Sequence, residues 1–366
     1  MLIKRRLCFI ILAMIVLTSC NDQKVIEDLA IISMISFDRI EGEEGKLKVT
    51  ASFPNLSSET SEKEKIIETV AYSKKEAEDL LSSKTRQQVV NGQIHSIIIG
   101  RTLAEGGVSR VITSMERDQE IGSQVKLVMA FGEGEEIIKT DVDPDVGSYV
   151  DKMLKTETDK YTIPEMDIFH FSRDYYDDGI DPVAPLFSRE GDNLVLMGTA
   201  LFRDDQYVAH LDLLQSKVFL FLLGKVKKGE LTIKVREEDD IRNLHLDYIN
   251  SNRKIKVYKN DRKVDHIQIN VKMRGSVIED TGAKEISSTI ETKKIEKIIA
   301  EHIERDAMEI LQVLKENQTD SLGLGQYVRH SVSYKYWKKL VGYEYLETIP
   351  VSVNVDVTIK DTGMSQ

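Results

Sequence analysis

The sequence predicts an α+β protein of successive mixed domains, with largely antiparallel sheets and a long amphipathic helix in the C-terminal part. Three stretches carry that expectation. Residues 46–53 and 348–359 alternate apolar with polar side chains at the period of two that suits a half-buried strand. Ile295, Ile298, Ile299, Ile303, Ile310, Leu311 and Leu314 form one stripe at helical spacing along residues 287–315, opposite a Lys/Glu face. Residues 94–99, the helical face of Val108, Val111, Ile112 and Met115, and residues 125–130 follow one another as strand, helix and strand, which predicts a βαβ unit.

Taken in order, the chain opens with Lys4, Arg5 and Arg6, an apolar run over residues 7–17, and Leu17-Thr18-Ser19-Cys20. Basic, apolar, small is the order of a secretory signal peptide, and the run is shorter than the about 20 residues that span a bilayer. Leu17-Thr18-Ser19-Cys20 resembles a bacterial lipobox, in which cleavage precedes a lipidated cysteine. A stray cysteine after an ordinary signal is the alternative, and Cys20 sits where cleavage signals want small residues. We therefore expect residues 1–19 to be removed and Cys20 to become an acylated N-terminus.

The chain of 366 residues is 41% hydrophobic and 30% charged, long enough for two or three domains. Loss of Lys4, Arg5 and Arg6 takes the formal net charge from −11 to −14. Such a body repels nucleic acid and anionic lipid, so attachment to a membrane falls to the anchor. Cys8 and Cys20 are the two cysteines; with one cleaved and one acylated, the expectation is no disulfide, no thiolate metal site and no cysteine nucleophile.

Residues 31–38 and 46–53, around the turn Glu41-Gly42-Glu43-Glu44-Gly45, predict a hairpin. Ser73 with Glu76 is a capping box that opens a helix over about 74–90. Pro144 precedes a helix carrying Val146, Tyr149, Val150, Met153 and Leu154, and Pro164 another through Phe169. Residues 173–185, with a glycine, two prolines and several acids, are expected to be a solvated boundary. The resulting division is a signal peptide at 1–19, an N-terminal α+β domain at 20–190 and a C-terminal region at 191–366, divided again near 250. Beyond the boundary, residues 194–202 and 207–210 predict a second hairpin. A helix over 212–223 follows and is closed by Gly224. Extended segments are expected at 231–235, 244–249, 254–258 and 267–277.

No catalytic constellation emerges. His95, His170, His210, His245, His266, His302 and His330 are scattered without metal-ligand spacing, and no metal or other cofactor is expected. Asp174, Asp177, Asp178 and Asp181 do not fit a calcium loop. Asp141, Asp143 and Asp145 fit a helix start. Gly132-Glu133-Gly134-Glu135 is the nearest thing to a phosphate loop, and its glutamates oppose phosphate. The aromatics Tyr334, Tyr336, Trp337, Tyr343 and Tyr345, interleaved with Lys335, Lys338 and Lys339, suit a satellite core or a partner surface, with burial tendencies favouring core.

In combination these segments resemble the Ger(x)C family of spore germination lipoproteins. The resemblance runs through Cys20, Asp22, Glu27, Leu29, Ala30 and Asp38, then His95 to Gly100, Leu103 to Gly107, and Glu116-Arg117-Asp118. It continues through Met197 to Phe202, Thr319-Asp320-Ser321-Leu322-Gly323-Leu324-Gly325, Trp337-Lys338-Lys339, and the strand from Val351 to Ile359 ending near Gly363. Asn21 stands where the family commonly has Trp, and Tyr343 or Tyr345 where a second Trp is common. The resemblance implies a non-enzymatic C subunit of a nutrient germinant receptor, lipid-anchored on the outer face of the spore inner membrane. Its partners would be the integral membrane A and B subunits. Cys20 would carry the lipid, a palmitate-type anchor, while Asp320, Gly323, Gly325 and Trp337 would be structural or interface residues. The rival class is a lipid-anchored extracytoplasmic solute-binding protein, which needs two lobes, a hinge and a polar cleft.

Overall fold

Continuous apolar runs such as Ile97-Ile98-Ile99 and Leu127-Val128-Met129-Ala130 build the centre of the first sheet. The computed structural model describes residues 29–55, 63–85, 87–224, 226–237, 240–261, 263–282, 288–340 and 344–361. The expected signal peptide, Cys20, Asn21, Tyr343 and Gly363 lie outside the described residues. The sheet has eight strands in the order β10-β9-β8-β7-β6-β2-β3-β4. Its parallel centre is β2 (Met34–Arg39), β6 (Ser96–Ile99), β7 (Lys126–Ala130) and β8 (Val183–Glu190). Antiparallel pairs extend it on both sides, β3 (Leu47–Pro54) with β4 (Glu64–Ala71), and β9 (Asn193–Arg203) with β10 (Gln206–Asp212).

The central strands are buried on both faces, as parallel strands are when helices cover them. Ile97 and Ile99 join a core with Leu103, Val111, Ile112 and Met115, while Ile98 faces a second core with Ile137, Val146, Val150 and Leu154. The first of these faces is covered by α1 (Lys74–Ser83), α2 (Arg101–Gly106) and α3 (Ser109–Glu116), and the second by α4 (Gly134–Ile138) and α5 (Val146–Asp159). The expected hairpin β2–β3 and the βαβ unit β6–α2–α3–β7 both form.

Several expected bounds move. The helix after Ser73 stops at Ser83, because residues 88–90 instead form β5 (Gln88–Val90), parallel to β1 (Leu29–Ile31). Ser73 accepts from the Glu76 N–H, but the Glu76 carboxylate reaches back to the Tyr72 N–H at 2.7 Å instead of the cap itself. The helix expected after Pro164 starts later, as α6 (Ile168–Tyr175), where Asp167 caps it through the His170 N–H at 2.7 Å. The Asp145 carboxylate caps α5 through the Ser148 N–H at 2.9 Å, in line with its place before a helix start.

α7 (Leu213–Leu223) carries a capping box of Asp212 and Gln215 and is apolar nearly all round. A helix of that kind must be buried, and α7 lies between the two sheets, touching β9, β10 and the strands of the second sheet. That sheet runs β11-β12-β13-β14, from β11 (Val226–Glu237), β12 (Asp240–Asn260), β13 (Lys263–Asp280) and β14 (Val351–Ile359). The segments expected at 244–249 and 254–258 are one strand. A division near 250 thus falls inside β12, and one at 190 falls inside the β8–β9 hairpin, where Glu190 pairs with Asn193. One apolar core runs from Ala30 to Val357.

The long helix α8 (Thr289–Glu316) starts at a Ser288–Glu291 capping box and lies along the outer edge of β14. Glu304 accepts from the Val355 N–H at 2.7 Å and Glu296 from the Ile359 N–H at 2.9 Å. Eight residues of helix and four of strand both advance about 12–13 Å, so the two carboxylates match the strand's repeat. An edge that would otherwise invite pairing with another chain is covered. Glu296→Ala and Glu304→Ala should each lower the unfolding free energy by about 1–3 kcal/mol, the cost of an orphaned buried donor, as read by urea denaturation. Wild-type midpoints in both variants would contradict this role.

Candidate functional site: a buried junction at Asp320

After α8, the chain turns through Thr319, Asp320, Ser321 and Leu322, all buried, into α9 (Leu324–Ser331). The first N–H groups of a helix need acceptors, and here Asp320 supplies them from four and five residues upstream. Its Oδ1 accepts from the Leu324 N–H at 2.9 Å, and its Oδ2 from the Gly325 N–H at 2.6 Å and the Tyr345 hydroxyl at 2.6 Å. Gly323 takes φ +67°, a left-handed conformation that glycine adopts without strain. Gly325 is a point of close approach: a β-carbon there would lie 2.6 Å from Tyr345 Oη and 3.0 Å from the Gly179 Cα.

The Asp320 backbone faces the first sheet. Its N–H donates to Asp181 Oδ2 at 2.6 Å and its carbonyl accepts from the Asp181 N–H at 3.1 Å. Asp181 Oδ1 takes the Asp204 N–H, in the β9–β10 turn, at 2.7 Å. The Thr319 hydroxyl donates to the Phe202 carbonyl, and the Gln326 N–H to the Gly179 carbonyl at 3.1 Å. From the second sheet, Arg253 on β12 donates to the Leu222 carbonyl at 2.7 Å, the Leu322 carbonyl at 3.2 Å and the Tyr327 hydroxyl at 3.4 Å. Burial lowers the pKa of this guanidinium, with Tyr327 and Asp320 opposing the shift. Arg329 on α9 closes the rim with Asp177 at 3.0 Å.

Of the residues the sequence singles out, Asp320, Gly323 and Gly325 share this turn. Trp337, on α10 (Tyr334–Leu340), joins them through Tyr345, which lies on α11 (Glu344–Thr348); the two ring centroids are 5.7 Å apart. Trp337 and Tyr345 are buried, whereas Tyr336 is half-buried and Tyr334 exposed with Lys338 over its ring. The stretch 173–185 is not a solvated boundary. Asp174 and Asp181 are buried, and the stretch runs from α6 into β8 against the 319–325 turn. Sequence reasoning missed Asp181 as the partner of Asp320 because the two are 139 residues apart and an Asp before a proline reads locally as a turn. Arg253 was missed for a related reason, falling between the extended segments expected at 244–249 and 254–258, far in sequence from the Leu222 and Leu322 carbonyls it serves.

Asp320 is buried with both oxygens occupied by donors, so it organises backbone and has no face to offer a substrate. Burial pushes its carboxyl up to about 7, with Asp181 adding to the rise, against the bonds from Tyr345, Gly325 and Leu324 that favour the ionised form. An ordinary Asp titrates near 3.8. Between those values the folded state keeps a proton that the unfolded state releases. The stability held by this group is therefore full below about 3.8 and is lost as pH rises through about 7. Thermal unfolding followed from pH 4 to 8 should show a steeper decline in wild type than in Asp320→Asn, which has no proton to lose there. Parallel profiles would contradict the assignment.

The chain is similar to known proteins along nearly its whole length. The family model described as spore germination protein N-terminal domain matches residues 22–189, and that described as spore germination B3/GerAC like, C-terminal, matches residues 197–363. Spore germination protein GerQC of Bacillus cereus is 24% identical over 365 residues, covering 99% of this chain and 100% of the relative. Spore germination protein KC of Bacillus subtilis (strain 168) is 22% identical over 395 residues, covering 97% and 94%. The crystal structure of the GerBC protein shares the fold, with a TM-score of 0.59 at 18% identity, covering 89% of this chain and 96% of that one. With both family models matched in order, the chain belongs to the Ger(x)C family of spore germination proteins.

Proposed function

We propose that this chain is the C subunit of a nutrient germinant receptor, held by lipid on Cys20 at the outer face of the spore inner membrane. It acts by contact with the integral membrane A and B subunits and does no chemistry of its own. The observation that carries this reading is the match to C-type germination proteins over both halves of the chain.

The lipobox-like Leu17-Thr18-Ser19-Cys20 supports the anchor, and no helix among the described residues is long and apolar enough to cross a membrane. A diacylglyceryl group with a further amide-linked chain supplies the two signals that stable anchoring takes. The junction at Asp320 supports a scaffold role. Its bonds tie the two sheets into one body over a continuous core, whereas a solute-binding protein closes two lobes about a hinge.

In spores carrying Cys20→Ala, the protein should leave the membrane fraction and the nutrient germination response should be lost. Membrane retention with a normal response in that variant would overturn the proposal.

A further inference from the structure

The C-terminal end of β2 opens onto a cavity that the Asp320 junction does not use. It holds about 250 Å³, and its walls include Arg39, Lys46, Leu103, Gly106 and Arg110. Arg39 ends β2, Lys46 precedes β3, Gly106 ends α2 and Arg110 lies in the first turn of α3. Sheets with a parallel centre take ligands outside the carboxyl ends of their strands, where neighbouring connections diverge. The cavity lies beyond the carboxyl end of β2, which has parallel β6 on one side and antiparallel β3 on the other.

Three cations and one acid face this space. Lys46 is paired with Glu43 at 2.5 Å and lies over the Tyr72 ring. Arg110 donates through Nη2 to the Tyr72 carbonyl, and its Nη1 lies 3.7 Å from the β-carbon position of Gly45. Arg39 is exposed, and its side chain has no hydrogen bond or ion pair among the described residues. Arg39 Nη1 stands 3.1 Å from the β-carbon position of Gly106, so the glycine leaves room for the guanidinium. Glu44 on the rim leaves the balance positive. The cavity shares Leu47, Arg110 and Val111 with a recess of about 60 Å³ that Phe37 also lines.

We propose that this cavity binds a small aliphatic carboxylate, its carboxylate on Arg39 and Arg110 and its hydrocarbon against Leu47, Leu103 and Val111. Guanidinium forks match planar carboxylates, and the apolar wall gains nothing from a fully hydrated anion. The volume is below the about 300–1,000 Å³ of pockets for drug-sized ligands, which limits the occupant to a few heavy atoms. The site stands independently of the receptor role, because its readout is heat of binding and not germination.

Isothermal titration calorimetry of the full chain in detergent at pH 7, with isovalerate, isovaleramide and inorganic phosphate as probes, tests it. Isovalerate should bind saturably, and the amide and phosphate at least about tenfold more weakly, since a hydrogen bond to a charged group carries that much discrimination. Arg39→Gln should weaken isovalerate by a similar factor while its thermal midpoint stays at the wild-type value. Arg110→Gln, its folding followed in the same way, gives the second reading of the same loss. Absent isovalerate heat, equal binding of the amide or of phosphate, or wild-type affinity in the folded variants would overturn the proposal.

Discussion

A carboxylate taken out of water must be given donors, and the burial of Asp320 and Asp181 imposes that requirement where the two halves of the chain meet. Among the described residues, Asp320 takes donors from α9 and Tyr345, and Asp181 from the β9–β10 turn and the Asp320 backbone. Each donor comes from an element that must be in place for the others to be satisfied. The energy for holding the halves together lies elsewhere. Val218, Phe219, Leu220, Phe221 and Leu222 of α7 are buried, at about 1.5–3 kcal/mol each, against about 1 kcal/mol net for a typical hydrogen bond. Apolar burial therefore drives the association, and the buried acids select one arrangement of it, because any other leaves buried polar groups unpaired.

The same use of acids recurs. Asp38, at the end of β2, accepts from the Gly134 N–H at 2.5 Å and the Glu135 N–H at 3.0 Å. The Gly132–Glu135 loop that superficially resembles a phosphate cradle thus binds a side chain of its own protein. Burial pushes the Asp38 carboxyl to about 7, with Glu133 adding to the rise against the two N–H donors. Glu296 and Glu304 serve the free edge of β14, and Asp145 serves the start of α5. Part of the acidity counted in the composition is therefore internal scaffolding for backbone N–H groups, not a repulsive surface.

What was legible in the sequence was local. The β2–β3 and β9–β10 hairpins, the βαβ unit, α7 with Gly224, α8 and β14 each announce themselves by period or cap within a dozen or so residues. Family resemblance picked out Asp320, Gly323, Gly325 and Trp337 without telling what they touch. What depends on pairing across the chain was not legible. Residues 88–90 look like the end of a helix until β1 lies beside them, and β12 looks like two strands until β13 runs its length. Register also places Lys254 and Lys256 beside Lys272 and Arg274 on one exposed sheet face. Asp181 and the Arg39 cavity belong to the same class of feature, assembled from residues far apart in the chain.

If the Asp320 junction makes one body of the two sheets, they must lose structure together. Differential scanning calorimetry of the full chain and of Asp181→Ala and Asp320→Ala reads this directly. Wild type should unfold in a single transition, and each substitution should split it or shift it as a whole. Two unlinked transitions in wild type, or substitutions that leave the transition unmoved, would contradict the account.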